Sequence, residues 1–172
     1  MSLLGRLLGK PDPGQTEVRA LWHRAVEIAR EPDWYVQGGI ADTVSGRFDA
    51  ITLVVALIML RMDASPALRG PSARLTELFV SDMDGQLRQS GVGDLVVGKQ
   101  VGKLMGALGG RIEALRAALV DRDDQGLIAA IERNVSFGDN PDSAAIARAL
   151  RVLAAQLASL DEAALLAGRI DR

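Results

Sequence analysis

The apolar run over residues 50–60 constrains the fold of this chain more than any other feature. It lies between Asp49 and Arg61, and its length of about 11 residues is roughly half of the ~20 that a membrane-spanning helix needs. A helix that is apolar on most sides is normally buried within a protein. We therefore expect this segment to form a buried helix at the centre of a helical domain.

Composition supports a helical domain. The 172 residues are 48% hydrophobic and only 3% aromatic, and Leu, Ala, Ile and Val recur at helical spacing. No segment alternates in the way that a half-buried strand does, and no solenoid repeat is present. The sequence predicts an all-α protein, a single compact domain of six to eight helices with no sheet. The domain spans residues 14–172, after a flexible or membrane-touching segment over residues 1–13.

Apolar spacing, capping residues and Gly or Pro punctuation predict the helix boundaries. Helices are expected over residues 16–31, from a cap at Asp42 or Thr43 to Met62, over residues 72–89, and over residues 95–108 with Asp94 as the cap. Gly109 and Gly110 are expected to bend or break the chain before helical stretches over residues 111–120 and 123–133. Asn140-Pro141 opens a further helix, and Ser159 with Glu162 forms a capping box for a last helix ending near Ile170.

The N-terminal segment has two interpretations. Leucines at positions 3, 4, 7 and 8 stand beside Arg6 and Lys10, which is compatible with a small helix that touches a membrane; the alternative is a frayed end. The segment is too short and interrupted for a secretory signal. We expect a cytoplasmic protein, with peripheral contact at the inner membrane as the alternative.

Several functions are disfavoured by what the sequence lacks. The net charge is −2, so no basic field attracts nucleic acid. There is no cysteine, and His23 is the single histidine, so a transition-metal site would depend on carboxylates. The spacing of Asp82 and Asp84 matches the first ligands of a calcium-binding loop, but the later ligands of such a loop are missing. No dinucleotide fingerprint or phosphate loop occurs. We predict no catalytic activity, no cofactor and no metal.

Residues 82–99 form the first segment that points to function. Charged side chains (Asp82, Asp84, Arg88, Asp94 and Lys99) alternate there with glycines (Gly85, Gly91, Gly93 and Gly98). Asp84 and Arg88 stand four apart on a helix and can pair, and Gly91 is placed to end that helix. Such a density of special residues predicts a close fit, either to the protein's own backbone or to a partner.

A second segment, residues 38–49, reads as a capped helix entry. Gly46 lets another part of the backbone approach the first helical turn, and Arg47, Phe48 and Asp49 precede the most apolar helix. Because Asp82 follows Leu75 and Leu78 at helical spacing, we predict a structural network that pairs Arg47 with Asp82. The alternatives are contacts to a partner and simple exposure to solvent.

A glycine pattern marks the helix that follows residue 94. Gly98, Gly102 and Gly106 are four residues apart, and each costs roughly 1 kcal/mol relative to alanine inside a helix. Such a stripe lets another helix approach closely. Either it packs against a helix of the same domain, or it receives a helix from another protein, with Lys99 and Lys103 at its rim.

Two of these blocks carry a resemblance to a known family. With Tyr35 upstream and residues 133–135 downstream, residues 39–49 and 82–99 resemble the ubiquinol–cytochrome c chaperone family, the helical assembly factors of respiratory complex III. The blocks occur in the right order and cover residues 20–135. The family's Arg-Glu pair is Arg88-Gln89 here, so any salt bridge of that glutamate is absent. After residue 140 the match is only that of an amphipathic helix.

The resemblance implies a non-enzymatic chaperone. Mitochondrial members bind newly made cytochrome b, work with a small helical partner protein and associate with the mitochondrial ribosome. Without the long N-terminal extension of a mitochondrial precursor, this chain is expected to be a bacterial homologue. The implied function is assembly of the cytochrome b subunit of complex III, by binding a client helix on a glycine-lined surface with a charged rim.

The expected site residues come from both blocks and from the glycine stripe. The side chains expected to shape or rim the surface are Tyr35, Asp42, Arg47, Phe48, Asp49, Asp82, Asp84, Arg88, Asp94 and Lys99. The expected close approaches are at Gly46, Gly91, Gly93, Gly98, Gly102 and Gly106. Two other hypotheses remain open at this point: a helical adaptor or regulatory module for a soluble partner, and an enzyme that uses the Asp and Arg cluster on a small substrate.

Overall fold

The computed structural model describes the backbone of residues 13–89, 91 and 93–171; the side chains of residues 13–15, 94 and 95 are outside the description. The described residues form eight α-helices and a 3₁₀ turn over Pro66–Leu68. The helices are α1 Pro13–Ala29, α2 Asp33–Val36, α3 Val44–Asp63, α4 Arg69–Gln89, α5 Asp94–Val120, α6 Gln125–Asn134, α7 Ser143–Ser159 and α8 Glu162–Leu166. One isolated antiparallel bridge joins Ile40 to Phe137, and no strand occurs in the described part of the chain. The prediction of a compact all-α fold is confirmed.

Helix α3 lies at the centre of the molecule, as its apolar run predicts. Every side chain from Ala50 to Met59 is buried, and α1, α4, α5 and α7 pack around it. The Thr43 hydroxyl accepts a hydrogen bond from the Gly46 backbone N–H at 3.2 Å, which satisfies a free donor of the first turn. Helix α1 packs along α4, where the rings of Trp22 and Phe79 meet edge to face with centroids 6.1 Å apart.

Helix α5 runs without interruption through Gly109 and Gly110, so the predicted break at that pair is wrong. The reason is the burial on both sides of the pair: Leu108, Arg111 and Leu115 are buried at spacings of three and four. A continuous buried face outweighs the roughly 1 kcal/mol that each interior glycine costs.

The last two helices begin later than the sequence predicts. Asp142, not Asn140, caps α7 by accepting from the Ala145 N–H at 2.8 Å. Asp161 caps α8, so the capping box of Ser159 with Glu162 does not form. A nearer Asp competes successfully for the cap in each case, because its carboxylate accepts well from the first-turn amides.

Two further points concern the N-terminal part of the chain. The sequence predicts no helix between residues 31 and 42, whereas the one-turn helix α2 lies there. The segment over residues 1–12 lies outside the described residues, and so does its predicted contact with a membrane. None of the helices that the structure describes is both long and apolar enough to traverse a bilayer.

Candidate partner-binding surface

The entry to α3 is held by close backbone contacts, as predicted for Gly46. A Cβ placed on Gly46 would lie 1.9 Å from the carbonyl oxygen of Ala41. Gly39 has a φ of +72°, and a Cβ placed on it would lie 2.1 Å from the carbonyl oxygen of Asn140. These two glycines let residues 38–46 fold tightly against the segment that precedes α7.

Arg47 and Asp42 form an exposed ion pair on this entry. Arg47 Nε lies 2.7 Å from Asp42 Oδ1, and each side chain is 63% exposed. The hydrogen bond from Arg47 holds the pKa of Asp42 below its usual value, and the same bond raises the pKa of Arg47. Tyr35 lies near this pair; its hydroxyl donates to the Ala29 carbonyl at 2.8 Å, and burial raises its pKa.

The predicted pairing of Arg47 with Asp82 is wrong. Asp82 is exposed on α4, where it accepts a hydrogen bond from Gln86 Nε2 at 3.1 Å. The buried line of α4 runs through Leu75, Phe79 and Met83. Leu78 is only partly buried, so a residue that follows it by four positions points toward the side of the helix that faces solvent.

The buried ion pair of the described structure joins Asp49 to Arg111. Their side chains are only 5% and 8% exposed, and Arg111 Nη2 donates to Asp49 Oδ1. Asp49 Oδ2 accepts from the Ser136 N–H at 2.7 Å. Sequence reasoning missed Arg111, although a signal was present: it stands between Leu108 and Leu115 on the apolar face of its helix.

Arg111 makes three further contacts. Its guanidinium donates to the Thr52 hydroxyl and to the Asn134 carbonyl, and it lies 5.5 Å from the ring centroid of Phe48. One side chain thus connects α3, α5 and the end of α6. Asp49 and Phe48 therefore lie beside the core as partners of Arg111. They do not form a rim that faces solvent.

The end of α4 agrees with the sequence in two respects. Arg88 Nε lies 2.7 Å from Asp84 Oδ2, as the spacing predicts. Gly91 has φ of +83°, a conformation that glycine adopts readily at the end of a helix. Gly93 occupies the N-cap position of α5, so Asp94 is the first helical residue and not the cap; its side chain lies outside the description.

The glycine stripe on α5 is open. Cβ atoms built on Gly98, Gly102 and Gly106 would meet nothing within 4 Å, and all three residues are exposed. Gly109 is exposed and equally free of neighbours. At about 100° per residue, these four glycines fall within an arc of about 80° on the helix. We call them the glycine face. The interpretation that the stripe packs against a helix of the same domain is wrong for the described structure.

The surroundings of the glycine face combine charge with apolar surface. Lys99 and Lys103 are exposed along one edge, and Val101 and Met105, on the other edge, are only partly buried. A second helix is able to approach the backbone of α5 here more closely than any side-chain-covered helix permits.

Arg47 does not line the cleft beside Asp82, although the enzyme hypothesis places both residues at one site. The cleft beside Asp82 has a volume of about 390 Å³ and lies between α1 and α4, with Trp22 and His23 on one side and Leu78 and Gln89 on the other. Both oxygens of Asp49 are satisfied inside the protein. No group of His, Asp or Glu side chains in the described ranges is arranged to hold a metal ion.

Comparisons with known proteins agree on one family. A family model described as "Ubiquinol-cytochrome C chaperone" matches residues 36–172. The crystal structure of the Cbp3 homologue from Brucella abortus is similar to this structure, with a TM-score of 0.80 and 29% sequence identity. The match covers 99% of this chain and 96% of that one. No curated protein matches the sequence.

Proposed function

The chain belongs to the ubiquinol–cytochrome c chaperone family, and from that premise we propose that it is a non-enzymatic assembly factor for respiratory complex III whose client is cytochrome b. The similarity to a Cbp3 homologue over nearly the whole chain supports this proposal. A chaperone acts by binding, which agrees with a set of charged residues that satisfy one another instead of activating a substrate.

The observation that carries the proposal is the open glycine face of α5. Each interior glycine costs roughly 1 kcal/mol relative to alanine, and no contact within the described structure offsets that cost, since no atom lies within 4 Å of the missing Cβ positions. In membrane proteins, glycine faces of this kind allow two helices to pack closely against each other. A helix of a newly made membrane protein is therefore a suitable occupant.

The edges of the glycine face suit such a client. The partly buried Val101 and Met105 offer apolar contact to its side chains, and methionine adapts well to different helices. Lys99 and Lys103 remain in water at the other edge and face the polar end of a client helix or its flanking loops. This arrangement is a helix-in-groove mode of recognition.

A deletion strain tests the proposed function. We expect the strain to lose assembled complex III and to regain it when the wild-type chain is expressed. Gly102→Leu should not restore assembly because its side chain covers the glycine face, whereas Ala155→Leu, which adds a larger side chain at an exposed position of α7, should restore it. Normal complex III in the deletion strain, or full rescue by Gly102→Leu, would contradict the proposal.

The adaptor hypothesis is distinguished by what the protein binds. If the chain is a module for a soluble partner, a tagged copy expressed at its native level will recover a soluble protein and no cytochrome b. Recovery of cytochrome b that depends on an intact glycine face supports the chaperone instead.

A separate surface is suited to the small helical partner that the family resemblance implies. Val36 and Val44 are apolar side chains that are 81% and 88% exposed; Val36 follows Tyr35, and Val44 stands between Asp42 and Arg47 in the sequence. We expect Val36→Ser with Val44→Ser to abolish co-purification of a small helical protein. Val120→Ser with Val152→Ser, which changes exposed valines elsewhere, is the matched control; equal recovery from both double variants would remove this assignment.

We propose a cytoplasmic location with peripheral contact at the inner membrane through residues 1–10. Apolar leucines beside Arg6 and Lys10 favour contact with an anionic lipid surface. The full chain should sediment with phosphatidylglycerol vesicles more than a chain lacking residues 1–10 does. Equal sedimentation of the two chains would contradict the contact.

A further inference from the structure

We propose that the buried Asp49–Arg111 pair is a positioning device that fixes one orientation of α5 against α3 and the segment after α6. The acceptors of the guanidinium belong to two elements other than its own: Asp49 and Thr52 on α3, and the carbonyl of Asn134 at the end of α6. The planar fork of arginine matches such a set only in one arrangement.

The energetics favour orientation over stability as the role of the pair. Removing two charges from water offsets most of their attraction, so a buried ion pair often adds little net stability compared with apolar residues. Arg111 Nε is buried and has no hydrogen-bond partner among the residues that the structure describes. A contact set optimised for stability would leave no such donor unsatisfied.

Neighbouring residues explain why α5 needs such a device. Leu108 and Leu115 stand three residues before and four residues after Arg111, on the same buried face. Apolar contacts alone would tolerate a slide of one helical turn, which moves one leucine into the place of residue 111 and residue 111 into the place of the other leucine. With Arg111 between them, the slide would bury the guanidinium against apolar side chains and would leave Asp49 without its counter-charge.

The orientation of α5 has a consequence for the client surface. The glycine face occupies the part of α5 that precedes Arg111, so the pair determines where this face points. This consequence rests on the proposed function, but the positioning role does not, because it is a property of the protein alone.

Distance measurements between two spin labels on the free protein test the positioning role. The chain has no cysteine, so labels attach only at introduced sites, here Val96→Cys on α5 and Val152→Cys on α7, both exposed. With Asp49 and Arg111 present we expect one narrow distribution. Asp49→Leu with Arg111→Met should leave the protein folded and add a second population displaced by up to about 5 Å, because one helical turn rises by that length along the axis.

A matched control removes a different α3–α5 ion pair. Arg116 Nη2 lies 2.8 Å from Asp63 Oδ2, and both side chains are about half exposed. Asp63→Asn with Arg116→Gln should leave the distribution unchanged, because an exposed pair imposes little order.

Each outcome has a defined meaning. If Asp49→Leu with Arg111→Met does not fold, Asp49→Asn with Arg111→Gln takes its place. A single unchanged distance in a folded variant overturns the proposal, and so does the loss of folding in both variants, because the pair would then be required for stability itself. Since the measurement contains no client, a negative result leaves the chaperone function standing, and loss of the chaperone function leaves this result standing.

Discussion

At the scale of single residues, burial separates the charged groups into two kinds. Asp49 and Arg111 are enclosed and pair with each other, whereas Asp42 with Arg47 and Asp84 with Arg88 lie at the surface. Exposed pairs add little to stability because water and salt screen them. A buried charge that loses its partner is far more costly, because it has neither water nor a counter-charge.

Asp49→Asn should therefore destabilise the protein strongly. The variant leaves the Arg111 guanidinium buried without a negative partner, and such losses typically cost about 3–5 kcal/mol. Urea unfolding followed by circular dichroism measures this free energy. The control Asp42→Asn, at the exposed pair, should unfold close to the wild type; similar unfolding midpoints for both variants would contradict the account of burial.

The environment of Tyr35 should make the stability of the protein depend on pH in the alkaline range. Burial raises its pKa in the folded state, so the unfolded chain loses the phenol proton first as the pH rises, near its ordinary value of about 10. Since the folded state then binds more protons than the unfolded chain, the stability of the protein falls as the pH rises through this region.

Tyr35→Phe isolates this effect. Below pH 10 the variant should be less stable by about 1 kcal/mol, because it lacks the hydrogen bond to the Ala29 carbonyl. The difference should shrink at higher pH, where only the wild type titrates. Tyr35 is the chain's single tyrosine, so phenolate absorbance reports its pKa directly. An ordinary pKa for the Tyr35 phenol in the folded protein would contradict this prediction.

At the scale of helices, the two groups of glycines differ in what surrounds them. Gly46 on α3 is enclosed by backbone, whereas Gly85 on α4 and the glycine face of α5 have no neighbour within 4 Å. The same substitution should therefore have opposite effects on stability at the two kinds of position.

Gly46→Ala should destabilise the protein by about 1–3 kcal/mol, the usual cost of overpacking. Its new methyl group would lie 1.9 Å from the Ala41 carbonyl oxygen, and that oxygen cannot move without distorting the entry to α3. Gly85→Ala is the control, and should stabilise by up to about 1 kcal/mol. Thermal unfolding measures both; equal shifts in Tm would refute the close-approach interpretation.

Gly102→Ala with Gly106→Ala should separate stability from client binding. We expect Tm to rise because alanine favours the helix and meets no atom in the free protein. Recovery of cytochrome b with the purified protein should fall, because the methyl groups keep the client helix away. Gly85→Ala is the control, because it should raise Tm without lowering the recovery of cytochrome b. Recovery of cytochrome b by the double variant at the wild-type level would contradict this prediction.

The accuracy of sequence reasoning also differs between helices. Helix α3 was predictable because a run with no polar face can only be buried. Helix α5 was not, since local glycine preference indicated a break at Gly109-Gly110 while tertiary burial of Leu108 and Leu115 kept the helix intact. The pairing of Arg47 with Asp82 was wrong because helical spacing defines a face only to within one or two residues, and that error is enough to move a carboxylate from the core to the surface.

At the scale of the whole molecule, the family was predictable and the surface was not. Two motif blocks identified the ubiquinol–cytochrome c chaperone family, to which the chain belongs. The sequence left open whether the glycine stripe packs inside the protein, because that depends on where the other helices lie. Among the described residues no helix covers it, which leaves the stripe open to a partner within that part of the chain.

The central proposal is that this open glycine face holds cytochrome b during assembly of complex III. Photo-crosslinking in cells tests it most directly, with a photoreactive amino acid in place of Lys103 beside the glycine face or, as control, of Arg148, an exposed residue of α7. We predict an adduct with cytochrome b from position 103, none from position 148, and loss of the adduct in a Gly102→Leu background. No cytochrome b adduct from position 103, in cells whose complex III still depends on this protein, would contradict the claim.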